Sequence, residues 1–202
     1  MSTVYRHPVD LVKEFHLTYG QPVRDVPQFD VAEKPMRHSL IDEEVGEFID
    51  ACMAHDFVEV IDALADIVYV VCGAAITHGV ALSVSIPRPV FLPAPPAEYV
   101  FDTNLGNKLA AINIAIHLAD NTDELKKHWE EMILACYDFA FAFGIDLDEV
   151  LTEVQASNLS KLGANGEVLR REDGKILKGP NFFVPNIAKF IERRTAEGFI
   201  EL

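Results

Sequence analysis

The sequence predicts an all-α protein: a four-helix-bundle core with a proline-rich loop insertion and a small C-terminal hairpin. Three observations carry this expectation. Apolar residues recur at helical spacing through most of the 202 residues. The stretch from Phe57 to Ile76 is apolar on almost every side, which suits the interior of a bundle. Proline falls between the periodic stretches rather than inside them.

Taken in order, PVDLVKEFHLT (8–18) reads as a short amphipathic helix opening on a proline, and a loop with Pro22, Pro27 and Pro35 follows. Two long helices are expected at 36–53 and 57–78, joined by a tight connection around His55 and Asp56. The segment 83–99 carries five prolines and cannot be helical, so it is an extended loop or flap. Helical periodicity returns in NLGNKLAAINIAIHLAD and in TDELKKHWEEMILACYDFAFAFG, where Gly144 is a plausible terminator. A further helix, DLDEVLTEVQASNLSKLG, is expected to end at Gly163. Asn165-Gly166 and Asp173-Gly174 then flank short β-prone segments, predicting a small hairpin before a closing helix near 186–197. The whole reads as one domain, 1–202.

Composition narrows the function. Half the residues are apolar, enough for a sizeable core. With 17 basic against 32 acidic residues the formal charge is −15, so nucleic acid and anionic membranes are unsuited partners. Cys52, Cys72 and Cys136, odd in number and set in apolar helical text, suit reduced thiols. The N-terminus lacks a signal-peptide core, and IVYVVCGAAIT is far shorter than the roughly 20 residues of a membrane span. A cytoplasmic protein is expected.

The chemistry concentrates in IDEEVGEF (41–48), where Asp42, Glu43, Glu44 and Glu47 have no basic residue among them. On the next helix the charged exceptions are Glu59, Asp62 and Asp66, which at about 100° per residue project within roughly 60° of one another. A short connection packs the two helices antiparallel, so their acidic stripes face each other. Like charges so close need protons or cations between them. No Arg or Lys lies between Arg37 and Arg88, so bound metal is the expected counter-charge. An all-oxygen donor set without histidine or thiolate selects Mg²⁺ or Mn²⁺ over zinc. A glutamate run on a helix is ordinarily a solvated face, but so narrow a stripe on so apolar a second helix argues otherwise.

EEVGE (43–47) followed by EVIDALAD (59–66) resembles the EExxE…ExxD signature of the all-α nucleoside triphosphate pyrophosphohydrolases. That superfamily includes the MazG proteins, dimeric dUTPases and phosphoribosyl-ATP pyrophosphohydrolase. FHLTYGQPV (15–23) and SNLSKLGANGEVLRREDGKILKGPNFFVPNI (157–187) are similar to MazG-like proteins of phages and bacteria. The resemblance implies cleavage of a nucleoside triphosphate, a purine deoxynucleotide or dUTP, to the monophosphate and pyrophosphate. It places metal-holding carboxylates at Glu43, Glu44 and Glu47, and in the second motif among Glu59, Asp62 and Asp66. Glu43 or Glu44 would accept a proton from the attacking water. Asn158 and Lys161 resemble the Asn and Lys of the family's SNxSK run and lie three apart on one helix face. Lys175 and Lys178 would clamp phosphates, while Phe15, His16, Asn107 or Phe182 are candidates for base recognition. The implied assembly is a homodimer or homotetramer.

Three rivals remain. Phosphoribosyl-ATP hydrolysis belongs to chains usually shorter and without this tail. A di-iron carboxylate bundle wants Glu-x-x-His, which does not occur here. A noncatalytic metal-binding or interaction bundle has no need of acids along a buried helix.

Overall fold

The computed structural model describes residues 6–84, 103–172 and 176–196. Among the described residues there are seven helices: α1 (Pro8–Thr18), α2 (Lys34–Ala54), α3 (Phe57–His78), α4 (Thr103–Leu118), α5 (Thr122–Ala142), α6 (Leu147–Leu159) and α7 (Ala188–Ala196). The chain is all-α, as its periodicity predicts.

Local chemistry sets the boundaries. Asp56 caps α3, its Oδ1 accepting from the Val58 and Glu59 amides at 3.1 and 3.2 Å. At the other end Gly79 takes the left-handed conformation, φ 66°, and its amide returns to the last turn. Asn121 and Asp146 cap α5 and α6 in the same way as Asp56 caps α3. Between α2 and α3 the chain reverses in two residues, with His55 left-handed at φ 56°. That joint fixes how the two helices are phased.

Helix α3 is the centre of the molecule. It packs against α1, α2, α5 and α6, while α4 lies on α2 and α5, so that α2, α3, α5 and α4 close a ring. Val60, Ile61, Leu64, Ile67, Val68 and Val71 are fully enclosed; at about 1.5–3 kcal/mol for each buried aliphatic side chain, this packing outweighs any weakness in local propensity. By length and composition α3 could also cross a membrane, but the other helices bury most of it. Cys72 and Cys136 are buried and Cys52 half-buried, all three as free thiols.

Two expectations are modified. Helix α6 stops at Leu159, four residues before Gly163: the Ser160 and Lys161 amides tighten onto Ser157 O and Asn158 O, and the Lys161 carbonyl is taken by the Gly179 amide. The C-terminal hairpin is reduced, among the described residues, to one antiparallel bridge between Arg170 and Ile176, with the Leu177 amide donating to Leu169 O at 2.8 Å. Its turn at Asp173–Gly174 lies outside the described residues, as does nearly all of the proline-rich segment.

Candidate active site

The phase set by Asp56 decides which way the acids of α3 point. Glu59 is exposed, whereas Asp62 and Asp66 are half-buried on the side facing α2. On α2, Glu44 is half-buried; Glu43 and Glu47 are exposed. Asp42 turns away toward α4, where Asn113 Nδ2 and His117 Nε2 each lie 2.7 Å from its Oδ1. One of the four acids in IDEEVGEF therefore has a partner of its own, 75 residues away in the chain.

Glu47 acts instead on the aspartates of α3. Burial raises the Asp62 carboxyl to about 6, and Glu59 and Glu47 push it the same way. Asp66 is raised first by burial and then by Asp62 and Glu47, against the opposing pull of Lys161 and Lys178. Asp62 Oδ1 is buried without a hydrogen-bond partner among the described residues. The cations missing from the two helices thus come in part from the C-terminal segment.

A cleft of about 150 Å³ opens beside this cluster. Its walls are α1 (Val12, Phe15, His16), α2 (Met36, Arg37, Leu40, Glu44), α3 (Asp66, Tyr69, Val70, Gly73) and the end of α6 (Asn158, Lys161), with Gln21 and Ile176 completing it. Tyr19 holds the walls together, its hydroxyl donating to Asn158 O at 2.9 Å and Leu159 O at 3.0 Å. The C-terminal strap is tied on by the Gly179 amide to Lys161 O, 3.1 Å, and by Ser157 Oγ to Phe183 O, 2.7 Å. Only glycine fits at 179, since a Cβ there would stand 2.1 Å from Leu162 O. Lys178 extends over the Phe182 ring, 4.5 Å from its centroid.

Glu44, Asp66, Asn158, Lys161 and His16 therefore share one cleft, with Glu47, Glu59, Asp62 and Lys178 in electrostatic reach of its acidic end. Glu43 is exposed and is not part of the lining; Asn107 is exposed on α4, also outside it. Lys175 lies outside the described residues. His16 is buried, donates from Nδ1 to Pro22 O at 2.8 Å, and is lowered by burial to about 4. It is a neutral wall of the cleft.

In the sequence Arg37 marks only where basic residues stop; the structure gives it a further place. Arg37 is 4% exposed, lines the cleft, and donates from Nη2 to Gln21 Oε1 at 3.2 Å. Burial lowers it to about 10. The signal was available: seven residues before Glu44 is two turns along the same helix face.

A divalent cation fits this donor set in composition and charge: the oxygens are hard, the Asp62 and Asp66 carboxyls are held above their ordinary range, and Asp62 Oδ1 needs a partner. Among the described residues no three His, Cys, Asp or Glu side chains are drawn around one point as a preformed cage, in keeping with their mutual repulsion.

Residues 12–86 match the phosphoribosyl-ATP pyrophosphohydrolase family. That segment holds most of α1 and all of α2 and α3, hence both acidic motifs. Over nearly its whole length the chain is similar to an uncharacterized protein of Acanthamoeba polyphaga mimivirus, 27% identical across 90% of this chain and 94% of that one. No solved structure matches. The matched segment is thus similar to a family of the MazG-like all-α nucleoside triphosphate pyrophosphohydrolase superfamily, and the all-helical fold of the chain is consistent with it.

Proposed function

We propose that this protein cleaves a (deoxy)nucleoside triphosphate to the monophosphate and pyrophosphate, in the cytoplasm, with Mg²⁺ or Mn²⁺ held by Glu44, Glu47, Asp62 and Asp66. The observation that carries the reading is the pair Asp62 and Asp66, raised by burial and like charge, beside a cleft end lined by Asn158 and Lys161. Such a pair is costly to the fold, and a polyanion bridged by cations relieves it. A hard divalent cation supplies charge neutralisation and Lewis acidity at phosphorus. Lys161 and Lys178 bind the phosphate chain, and Asn158 orients it. Glu44, in the cleft lining where Glu43 is not, accepts the proton of the attacking water. Glu59, exposed at the start of the stripe, reinforces the field on Asp62.

Ile114 and Leu118, one turn apart on α4 and 62% and 77% exposed, support assembly as a homodimer or homotetramer.

Incubation with each (d)NTP and Mg²⁺, with pyrophosphate measured, tests the reading. Glu47→Gln and Asp66→Asn are expected to lose at least about a hundredfold in rate with helical content unchanged, as removal of a charge-stabilising group does. Full activity in Glu47→Gln would remove the metal site. A second reading, hydrolysis of phosphoribosyl-ATP, is favoured by the family that residues 12–86 match; turnover of that compound with no release of pyrophosphate from any (d)NTP would select it.

A further inference from the structure

We infer that Arg37 reads the base of the nucleotide, and that the base it selects is guanine; this rests on the cleft being the nucleotide site proposed above. The tight joint at His55–Asp56 brings α2 and α3 together in antiparallel register, so that Glu44 lies level with Asp66 and Arg37 level with Gly73. All four line the cleft. Each helix therefore carries an acidic position and, two turns or about 10 Å away, a position at the opposite end.

That opposite end is electrostatically separate. The charges that act on Arg37 are Glu33 and Arg24, with none from the carboxylate cluster. With phosphates at Lys161 and the acids, the base reaches the Arg37 end, beside the wall formed by Phe15 and Tyr69, whose rings pack edge to face 5.8 Å apart. Gly73 lets α1 close the wall there, since a Cβ in its place would stand 3.1 Å from His16 Nε2.

The donors at this end set the preference. A guanidinium offers only N–H groups. Nη2 reaches Gln21 Oε1 and stands 3.6 Å from Glu33, while Nε is buried with no hydrogen-bond partner among the described residues. A buried donor without a partner calls for an acceptor, and the cleft is where a ligand can bring one. Guanine places O6 and N7 side by side, two acceptors that match a guanidinium. Adenine sets an amino donor beside N7 and so opposes N–H to N–H, while cytosine pairs two acceptors only at N3 and O2, on the edge next to its sugar. Thymine and uracil offer O4 without an adjacent acceptor.

The test is binding of dGTP, dATP, dTTP, dCTP and 7-deaza-dGTP to the full chain with Ca²⁺, read calorimetrically, together with the Mg²⁺-dependent rates. The expected result is dGTP binding roughly ten- to a hundredfold more tightly than dATP, and 7-deaza-dGTP losing about tenfold, as loss of one arm of a bidentate contact predicts. Arg37→Lys should level these preferences with phosphate affinity kept, and Arg37→Met serves where the lysine variant fails to fold. Equal binding of all bases, or full discrimination in Arg37→Lys, overturns the assignment and leaves the hydrolase reading standing. Guanine-selective binding without hydrolysis of any (d)NTP sustains the assignment and sinks the hydrolase reading.

Discussion

Asp62 and Asp66 are held where ionisation is unfavourable, so their sign of linkage is the reverse of a salt-bridged acid. A carboxyl whose folded value lies above its ordinary one contributes stability that is complete at low pH and lost as pH rises through the folded value, about 6 for Asp62. At pH 8 the metal-free protein therefore carries a cost of about 1–2 kcal/mol at Asp62 after solvent screening. Thermal melts in EDTA should show Asp62→Asn and Asp66→Asn more stable than the parent at pH 8, with the advantage vanishing near pH 4; no gain at pH 8 would mean the pair is not under strain. Legibility at this scale was uneven. The acids were visible because three charges on an apolar helix must face something. Asp42 was misgrouped with them because its partners, Asn113 and His117, lie on a helix distant in sequence. Arg37 looked like an ordinary charge at a helix start until the hairpin register placed it in the cleft.

Among the elements, α3 depends most on its ends. Gly79 combines a left-handed φ of 66° with a site where a Cβ would stand 2.2 Å from Val26 O. The loop beside it is docked on the same helix end, Arg24 N to Ile76 O at 3.1 Å and Gln28 N to His78 O at 2.8 Å. Gly79→Ala should therefore cost at least about 2 kcal/mol, strain and displaced loop together; a change in melting temperature under 2 °C would refute this. The boundaries of α1 and α3 were readable in full, since a leading proline, an aspartate cap and a terminal glycine each have one local reason to be there. The end of α6 was not. SNLSKLG reads as helix, but the Lys161 carbonyl is taken by Gly179 of the strap, a contact that local propensity cannot report.

For the molecule as a whole, the histidines oppose the carboxylates. His16 and His38 are buried and lowered to about 4, in both cases chiefly by desolvation. Their stability contribution is present above the ordinary value of 6.5 and is lost as pH falls toward 4. For His16 this amounts to about 3 kcal/mol. Denaturant titrations at pH 7 and pH 4.5 should thus show the parent losing about 2–3 kcal/mol more than His16→Gln does; parallel losses would show that His16 is already charged or not buried. The opposing trends meet between pH 4 and 6.5, where the parent's own melting curve would conceal both. The ring of helices was legible from periodicity alone, but the cleft was not, because both chain ends build it. One of its clasps is the Tyr19 hydroxyl, which spans 139 residues of sequence to reach Asn158. Loop closure over such a distance is entropically slow, so the acidic hairpin can form early in folding while the pocket that gives it a cargo is among the last features to assemble. A nascent chain would then acquire its negative field before it acquires any selectivity.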